Sequence, residues 1–389
     1  MKKTILSLIA IIIFGMGLNA QNVNIPDANF KQSLVVNASI NTNGDSEIQV
    51  SEASAFTGVI MCAFISITDL TGIEAFTSLT GLDCNNNLLT SLDVTQNTAL
   101  TSLICRNNNL TALDVSQNTA LTNLICSSNP ITSLNTSGVT TLDVLDCTFN
   151  NLTNLSLSTN TNLTSLKCSG NSLAALDVSN NTALTYLECA ENAIASLDIS
   201  NNTSLTFLEC FVNSISSLDV SNNTSLSELH CGENSLTTLD LSNNVSLTIF
   251  SCYDNSLTSL NVANGDNTII TSFSAHTNPN LVCINVDDAA YSTTNWTDID
   301  AASSFSENCG VGIDELNSNM VTIYPNPASS QITVDSEEMI EGITIFDMFG
   351  SLIQMETSTT FSIESLADGV YLMNIQTSNG IVRSRFVKE

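Results

Sequence analysis

The stretch that decides the fold lies at residues 184–204, which read LTYLECAENAIASLDISNNTS, and it returns at residues 205–225 as LTFLECFVNSISSLDVSNNTS. The same 21-residue frame extends in both directions, and its Cys slot is filled by Cys84, Cys105, Cys126, Cys147, Cys168, Cys189, Cys210, Cys231 and Cys252. Cys62 begins the series one residue off the period, and Ala275 continues it after a short insertion near Gly265. Self-similarity at this spacing indicates an array of about eleven turns.

Each turn contains two short segments in which apolar and polar residues alternate, Leu187 to Cys189 and Leu197 to Ile199 in the turn quoted first. This alternation is typical of a strand with one buried face. Because neither segment can bury its apolar side alone, turns must stack about 4.8 Å apart in parallel register around one core. We expect strands on both sides of each turn in a gently curved, flattened solenoid. Asn192 and Asn202 should turn inward and hydrogen-bond neighbouring backbone, giving two asparagine ladders.

The frame LxxLxCxxN resembles the leucine-rich repeat consensus, with Cys in the last apolar slot. The repeat also resembles that of bacterial surface adhesins such as internalins. These resemblances imply the solenoid fold and lead us to expect protein binding, but they identify no particular ligand.

The cysteines separate into a column and a pair. Stacked Cβ atoms lie about 4.8 Å apart, outside the ~3.5–4.5 Å that a disulfide prefers, and no CxxC pair suggests zinc. We therefore interpret the repeat cysteines as a column of buried thiols. Cys283 and Cys309 lie outside that column and flank Trp296, and we predict that they form a disulfide that closes the end of the solenoid.

The N-terminal segment combines an export signal with a cap. Residues 1–20 hold two lysines, an apolar run and small residues, as in a secretory signal peptide. Residues 25–36 predict a short helix that covers the first turn.

The loop from Asn41 to Glu52 is similar to an EF-hand calcium loop and offers Asn41, Asn43, Asp45, Glu47 and Glu52 as possible calcium ligands. It departs from that pattern because Asn41 replaces Asp and Ser46 replaces Gly, so a polar loop without metal stays the alternative. We expect no other cofactor.

Beyond Cys309 the repeat ends, and short alternating segments predict a small Ig-like β-sandwich. This region resembles the C-terminal sorting domain of the type IX secretion system of Bacteroidetes. The matching motif residues are Tyr324, Pro325, Asn326, Pro327, Gly350, Gly369 and Tyr371, followed by a closing segment from Gly380 to Lys388. The resemblance implies passage across the outer membrane by the type IX machinery, then removal of this domain with surface attachment or release.

The predicted fold is therefore mainly β. Its predicted domains are a signal peptide (1–20), an N-terminal cap with the EF-hand-like loop (21–58), a leucine-rich repeat solenoid (59–288), a C-terminal cap (289–309), a linker (310–319) and a sorting domain (320–389).

Charge and composition exclude several classes of function. The 389 residues include 8 Lys and Arg against 38 Asp and Glu, for a formal net charge of -30. A chain so poor in cations cannot neutralise a phosphate backbone, which argues against nucleic-acid binding. No later stretch is long enough for a transmembrane segment in the mature chain. His230 and His276 occupy variable repeat slots, and no catalytic motif accompanies them, so we predict no enzyme and no catalytic residues.

Comparison of the turns with one another suggests a binding surface. The second segment keeps Leu-Asp-aliphatic in most turns, which builds a ladder of aspartates that Ser or Asn donors, or surface-bound calcium, must stabilise. The outward slots of the first segment vary: early turns mostly offer Thr, Ser and Asn, whereas later turns carry aromatic and charged residues. Because exposed aromatic residues favour interfaces, we predict a ligand-binding face at Tyr186, Glu188, Phe207, Glu209, Phe211, Glu228, His230, Ile249 and Tyr253.

The sequence thus predicts a non-enzymatic protein that is secreted or held at the outer surface and that binds a protein ligand or mediates adhesion. A polysaccharide-binding accessory protein and a structural surface-layer component are the alternatives.

Overall fold

The computed structural model describes residues 21–309, 321–336, 338–347, 351–377 and 380–389. The chain forms two compact units that divide after Glu307. The predicted signal peptide and the predicted linker lie outside the described residues.

The first unit contains the repeats, three α-helices and two short 3-10 helices. The α-helices are α1 Ala28–Val35, α2 Val50–Ala55 and α3 Ala289–Asn295, and the 3-10 helices are Ile73–Ala75 and Asn267–Ile269. The strands are β1 Val59–Met61, β2 Gly81–Asp83, β3 Ser102–Ile104, β4 Ala112–Asp114, β5 Asn123–Ile125, β6 Ser133–Asn135, β7 Val144–Asp146, β8 Ser165–Lys167, β9 Tyr186–Glu188, β10 Phe207–Glu209, β11 Glu228–His230, β12 Thr238–Asp240, β13 Ile249–Ser251, β14 Ser259–Asn261, β15 Ser272–Ser274, β16 Cys283–Asn285 and β17 Ser304–Ser306.

One parallel sheet runs the length of the solenoid and receives one strand from each turn; we call it the front sheet. Its eleven strands follow the order β1-β2-β3-β5-β7-β8-β9-β10-β11-β13-β15. Leu187 lies opposite Leu208, which lies opposite Leu229, so neighbouring turns pair residues 21 positions apart. The predicted mainly β leucine-rich repeat solenoid of about eleven turns is confirmed.

The second side of the turns is less regular than the sequence predicts. Strands form there only as the pair β4-β6 and the group β12-β14-β16-β17. Most of the turns between them carry a similar Leu-Asp-aliphatic sequence, but without strand pairing. The expectation of strands on both sides of every turn was therefore wrong for the central turns.

The Cys slot fills the core behind the front sheet. Ten cysteines, from Cys62 to Cys252, are free and buried. Burial raises the pKa of their thiols, to about 12 for Cys62 and Cys210. The other two, Cys283 and Cys309, are disulfide-bonded, so the predicted disulfide is present.

The two asparagine ladders hold neighbouring turns together in different ways. In the first, Asn192 Nδ2 donates to the carbonyl oxygens of Cys168 and Cys189 at 3.1 and 3.2 Å, and its Oδ1 accepts from the Leu173 N–H at 3.0 Å. In the second, Asn202 Nδ2 donates to the carbonyl oxygens of Val178 and Asn181, but its Oδ1 has no partner. The first ladder therefore satisfies both ends of its amides, whereas the second leaves an acceptor free in most turns.

Each turn leaves the front strand through a residue with positive φ. The slot holds Asn86, Asn107, Ser128, Phe149, Gly170, Glu191, Val212, Glu233, Asp254 and Thr277, with φ between 50° and 66°. Asparagine accepts this conformation readily, but Val212 is β-branched and Phe149 is bulky, so both are strained there. Gly170 has an additional role because a Cβ at this position would lie 2.6 Å from the Phe149 ring.

Caps close both ends of the core. The predicted N-terminal helix is α1, and the Asp27 carboxylate accepts from the N–H groups of Asn29 and Phe30 at its start and from the Thr68 N–H in the first turn. At the other end, Trp296 follows α3 and stacks on Phe273, with ring centroids 4.3 Å apart. These contacts protect apolar side chains that no further turn covers.

The second unit is a sandwich of two antiparallel sheets, as predicted. Its strands are β18 Val321–Tyr324, β19 Gln331–Ser336, β20 Ile340–Phe346, β21 Leu352–Glu356, β22 Thr360–Ser362, β23 Gly369–Thr377 and β24 Gly380–Lys388. One sheet has the order β18-β19-β22 and the other β21-β20-β23-β24. Their facing side chains, including Ile332, Ile345, Met373 and Phe386, form a separate core.

The free acceptors of the second ladder can be tested by substitution. Thr136 shows how one is satisfied, because its hydroxyl donates to Asn160 Oδ1 at 3.0 Å across the same 24-residue interval that separates Val178 from Asn202. Val178→Thr should therefore gain this hydrogen bond.

Val115→Thr is the matched control, because Val139 occupies the position that would hold the Asn and the new hydroxyl stays buried without that partner. Urea unfolding should place Val178→Thr more stable than Val115→Thr by about 1 kcal/mol or more. Equal unfolding midpoints would contradict this account.

The thiol column predicts a sharp labelling pattern. In the folded chain the ten free cysteines should resist iodoacetamide at neutral pH, because they are buried and almost wholly protonated. Unfolding without reductant should expose these ten, and Cys283 and Cys309 should become reactive only when reductant is added. Mass spectrometry of the alkylated chain checks both statements, and twelve labelled cysteines without reductant would contradict the disulfide.

Candidate functional site

The outward side chains of β8 to β11 form a continuous group on the front sheet, which we call the front cluster. It consists of Lys167, Tyr186, Glu188, Phe207, Glu209, Glu228 and His230. Strand register places these residues in two adjacent columns, with residues of the same column one turn apart. The structure thus brings together six of the nine residues of the predicted binding face and adds Lys167.

The aromatic rings of the front cluster stack on one another. Tyr186 and Phe207 are 4.3 Å apart between centroids and nearly parallel, at 6°. Lys167 Nζ lies 4.7 Å from the Tyr186 ring centroid, and the His230 ring lies 5.9 Å from that of Phe207. The sequence predicts that Tyr186 and Phe207 are exposed, but both rings are half-buried because each covers the other. Ring edges, more than ring faces, are therefore presented to solvent.

One cation and several carboxylates surround these rings. Lys167 Nζ lies 3.1 Å from Glu188 Oε1, the oxygen that also accepts from the Tyr186 hydroxyl. Burial opposes the charge on Lys167, but Glu188 outweighs it and raises the pKa of the lysine. Burial and then repulsion by Glu188 raise the pKa of Glu209. Among the described residues, no Lys, Arg or His nitrogen lies within about 4 Å of a Glu209 carboxylate oxygen.

The other three predicted residues lie beside this cluster. Ile249 is the half-buried outward residue of β13, and Phe211 and Tyr253 occupy a third column just past the strands. The Tyr253 ring covers Gly232 and stacks on His276, with centroids 5.2 Å apart. Its hydroxyl donates to Glu233 Oε1 at 3.1 Å.

Sequence reasoning missed two parts of this surface. Lys167 lies one turn before Glu188 in the same column, and His276 lies one turn after Tyr253. The repeat spacing identifies both residues. The early turns are also more apolar than expected, because Val59, Met61 and Phe64 are 47%, 78% and 71% exposed. The expectation that the early turns mostly present Thr, Ser and Asn was therefore wrong for the first strand.

The aspartate ladder on the second side is stabilised by local hydrogen bonds. Asp177 Oδ1 accepts from the Ser179 N–H at 3.0 Å and from its hydroxyl at 2.6 Å, and Asp198 and Asp219 accept from the N–H two residues later. The serine hydroxyls, then the backbone N–H groups, lower the pKa of these aspartates. Serine donors therefore offset part of the repulsion between neighbouring carboxylates, and surface-bound calcium at this ladder stays a prediction.

The EF-hand-like loop uses its oxygens internally. Glu52 accepts from Thr42 and Asn43 through Oε1 and from the Gln49 N–H through Oε2, which places it at the start of α2. Asp45 Oδ1 accepts from the Glu47 N–H at 2.7 Å. Burial opposes ionisation of Glu52, but these hydrogen bonds outweigh it and lower its pKa.

Glu47 pairs with Lys31 at 2.7 Å, and Asn41 Oδ1 accepts from the Gly44 N–H at 3.0 Å. Within the described part of the chain, no three His, Cys, Asp or Glu side chains are grouped to hold a metal ion. Calcium stays a prediction, and a melting temperature unchanged by chelator would contradict it.

The sorting motif residues organise the second unit. Asn326 lies between two cis prolyl bonds, Tyr324–Pro325 and Asn326–Pro327. Its side chain accepts from the Val387 N–H at 2.9 Å and donates to the Arg385 carbonyl oxygen at 3.3 Å, which fastens this loop to β24. The motif turn at Gly350 lies outside the described residues.

Tyr371 belongs to the same motif set and follows Gly369 at the start of β23. It stacks on Phe386 and donates its hydroxyl to the Ala367 carbonyl oxygen at 2.9 Å. Asn326, Gly369 and Tyr371 therefore all contact one end of the β23–β24 pair, where β23 begins and β24 ends.

Comparison with known families agrees with this second unit. Residues 322–389 match the family model of the secretion system C-terminal sorting domain. The chain ends in a type IX sorting domain. No helix in the described part of the chain is long and apolar enough to cross a membrane. No curated protein matches the sequence.

Solved structures of leucine-rich repeat proteins are similar to this chain. The functional domain of InlJ from Listeria monocytogenes, which includes a cysteine ladder, is 24% identical over 95% of this chain and 98% of its own, with a TM-score of 0.41. The internalin InlF from Listeria monocytogenes is 21% identical over 73% and 98%, with a TM-score of 0.45. A leucine-rich repeat protein of Leptospira interrogans is 20% identical over 61% and 76%, with a TM-score of 0.38.

The environment of Glu209 predicts a pH-dependent stability. Its folded-state pKa lies above its ordinary value of 4.5, so ionisation costs stability as pH rises through the folded-state pKa. Glu209→Gln should therefore melt on the order of 1 °C higher near pH 7, and the difference should vanish below about pH 4.

Glu188→Gln is the contrasting variant, because it removes the carboxylate that pairs with Lys167 and should not raise the melting temperature. Thermal melts of the three proteins at both pH values measure this. A Glu209→Gln protein that is less stable than wild type at neutral pH would contradict the account.

Proposed function

We propose that this chain is an exported, non-enzymatic leucine-rich repeat protein whose front cluster binds a protein partner at or beyond the cell surface. The sorting domain supports export. The observation that carries the binding proposal is the continuous stack of Lys167, Tyr186, Phe207 and His230 on one face of the front sheet. Its order is fixed by strand register before any partner arrives, which reduces the entropy lost on binding.

The geometry of the stack favours protein over polysaccharide. A sugar ring packs on an open aromatic face, but Tyr186 is covered by Lys167 and Phe207, and Phe207 by Tyr186 and His230. Half-buried rings with flanking carboxylates resemble the mixed apolar and polar character of protein interfaces. A structural surface-layer role requires no such variation between turns and is the weaker alternative.

Binding arrays of extracellular proteins and of glycans, probed with the purified full chain, test this proposal. Tyr186→Ser with Phe207→Ser should abolish protein capture, with at least a roughly tenfold loss of affinity, because the two rings form the centre of the cluster. Ser196→Ala with Ser217→Ala is the matched control on the second side of the same turns and should bind as wild type.

Glycan capture that the paired aromatic substitution abolishes would support the polysaccharide alternative instead. Protein capture that survives this substitution would exclude the front cluster as the binding site. Circular dichroism melts of each variant check that the solenoid is intact.

A further inference from the structure

The four-stranded sheet of the sorting domain has an unusual outward face. Side chains alternate along each strand, and the inward set, including Ile343, Ile345 and Met373, fills the core of the sandwich. The outward face of a sheet that meets solvent normally carries polar residues. Here, four of its outward residues are large and apolar.

Strand register arranges these outward residues in two rows across the sheet. One row runs Leu352, Phe346, Leu372, Arg385, and the next runs Met355, Thr344, Asn374, Arg383. Leu352 and Met355 are 56% and 70% exposed. Phe346 and Leu372 are half-buried, yet neither belongs to the sandwich core, and they are direct cross-strand neighbours in the first row.

The charge of this face contrasts with that of the rest of the chain. Its two rows contain Arg383 and Arg385 and no carboxylate. The whole chain has only 8 basic residues against 38 acidic ones, so placing two arginines beside an apolar strip concentrates scarce positive charge. Arginines that border apolar residues are typical of protein interfaces.

We propose that this outward face is the surface on which the sorting domain docks to an apolar and acidic protein surface of the export machinery. The inference rests on the proposed export. An anionic lipid surface fits less well, because each basic residue contributes only about 1 kcal/mol to such binding and the chain carries a net charge of -30. A protein partner can use the apolar strip and both arginines together.

Export of the full chain from cells with type IX machinery tests the surface. Arg383→Gln with Arg385→Gln, and separately Leu352→Ser with Met355→Ser, should lower the amount at or beyond the outer surface by roughly tenfold, with the uncleaved chain held inside the outer membrane. The second pair alters only exposed side chains and should leave folding intact. Cell fractionation and immunoblotting measure both.

The matched control is Thr322→Glu with Gln331→Glu on the other sheet of the sandwich, at exposed positions of β18 and β19. It changes the net charge by the same amount as the arginine pair, two units more negative. This control should be exported as wild type, and equal loss in the control would overturn the proposal.

Three further outcomes would overturn the inference. Normal export of both outward-face variants excludes this face. Normal export combined with lost binding of the arginine variant to phosphatidylglycerol vesicles assigns the arginines to lipid instead of protein. Retention of the unmodified chain inside the cell removes the proposed export itself, and with it this inference.

Discussion

The parallel register between turns is the constraint on which the structure depends. Because most strands of the front sheet pair with residues 21 positions away, and the first and last pairs with residues 22 and 23 positions away, every slot of the repeat becomes a column that runs along the solenoid. Inward columns must then hold side chains of nearly constant size, which explains why Leu and Cys recur. Outward columns carry no such restriction on size, and side chains from the same slot of successive turns lie about 4.8 Å apart there. That spacing suits aromatic stacking and hydrogen-bonded amides, and it penalises unscreened charge.

The front cluster shows what this spacing does to outward side chains. Tyr186 and Phe207 bury part of their apolar surface against each other by stacking, so the cluster is ordered and exposes less apolar area to solvent. Glu188 is held by both Lys167 and the Tyr186 hydroxyl, whereas Glu209 lacks an ion-pair partner among the described residues. A ligand that supplies a donor or cation near Glu209 would gain from a carboxylate that the solenoid leaves unpaired. The aspartates of the second side, by contrast, accept hydrogen bonds from a serine or threonine two residues later.

Periodicity made the fold predictable, since the repeat fixes strand direction, register and the buried columns. It also predicted both asparagine ladders, whereas helix start signals predicted the α1 cap and short alternating segments predicted the sorting sandwich. Periodicity did not predict where the second side loses its strands. Strands pair there where Asn135 lies beside Asp114 and Asn261 beside Asp240, whereas Asp198 lies between turns that also carry Asp. The burial of Tyr186 was equally hidden, because the loss of exposure comes from Phe207 on another strand. In the EF-hand-like loop, backbone N–H groups of the same loop donate to the carboxylates of Asp45 and Glu52, and the spacing of ligand types alone does not reveal these contacts.

The thiol column also constrains the order of events during biogenesis. Ten cysteines that are inert once stacked are ordinary thiols in the unfolded chain, and an exported protein meets an oxidising environment. Any pair that oxidised early would join two turns whose side chains are meant to lie side by side, and the strain of that bond would oppose the register of the whole sheet. Productive folding therefore requires that turns stack faster than their thiols are oxidised. The solenoid is most vulnerable at its last unstacked turn, and each turn added removes one more thiol from risk.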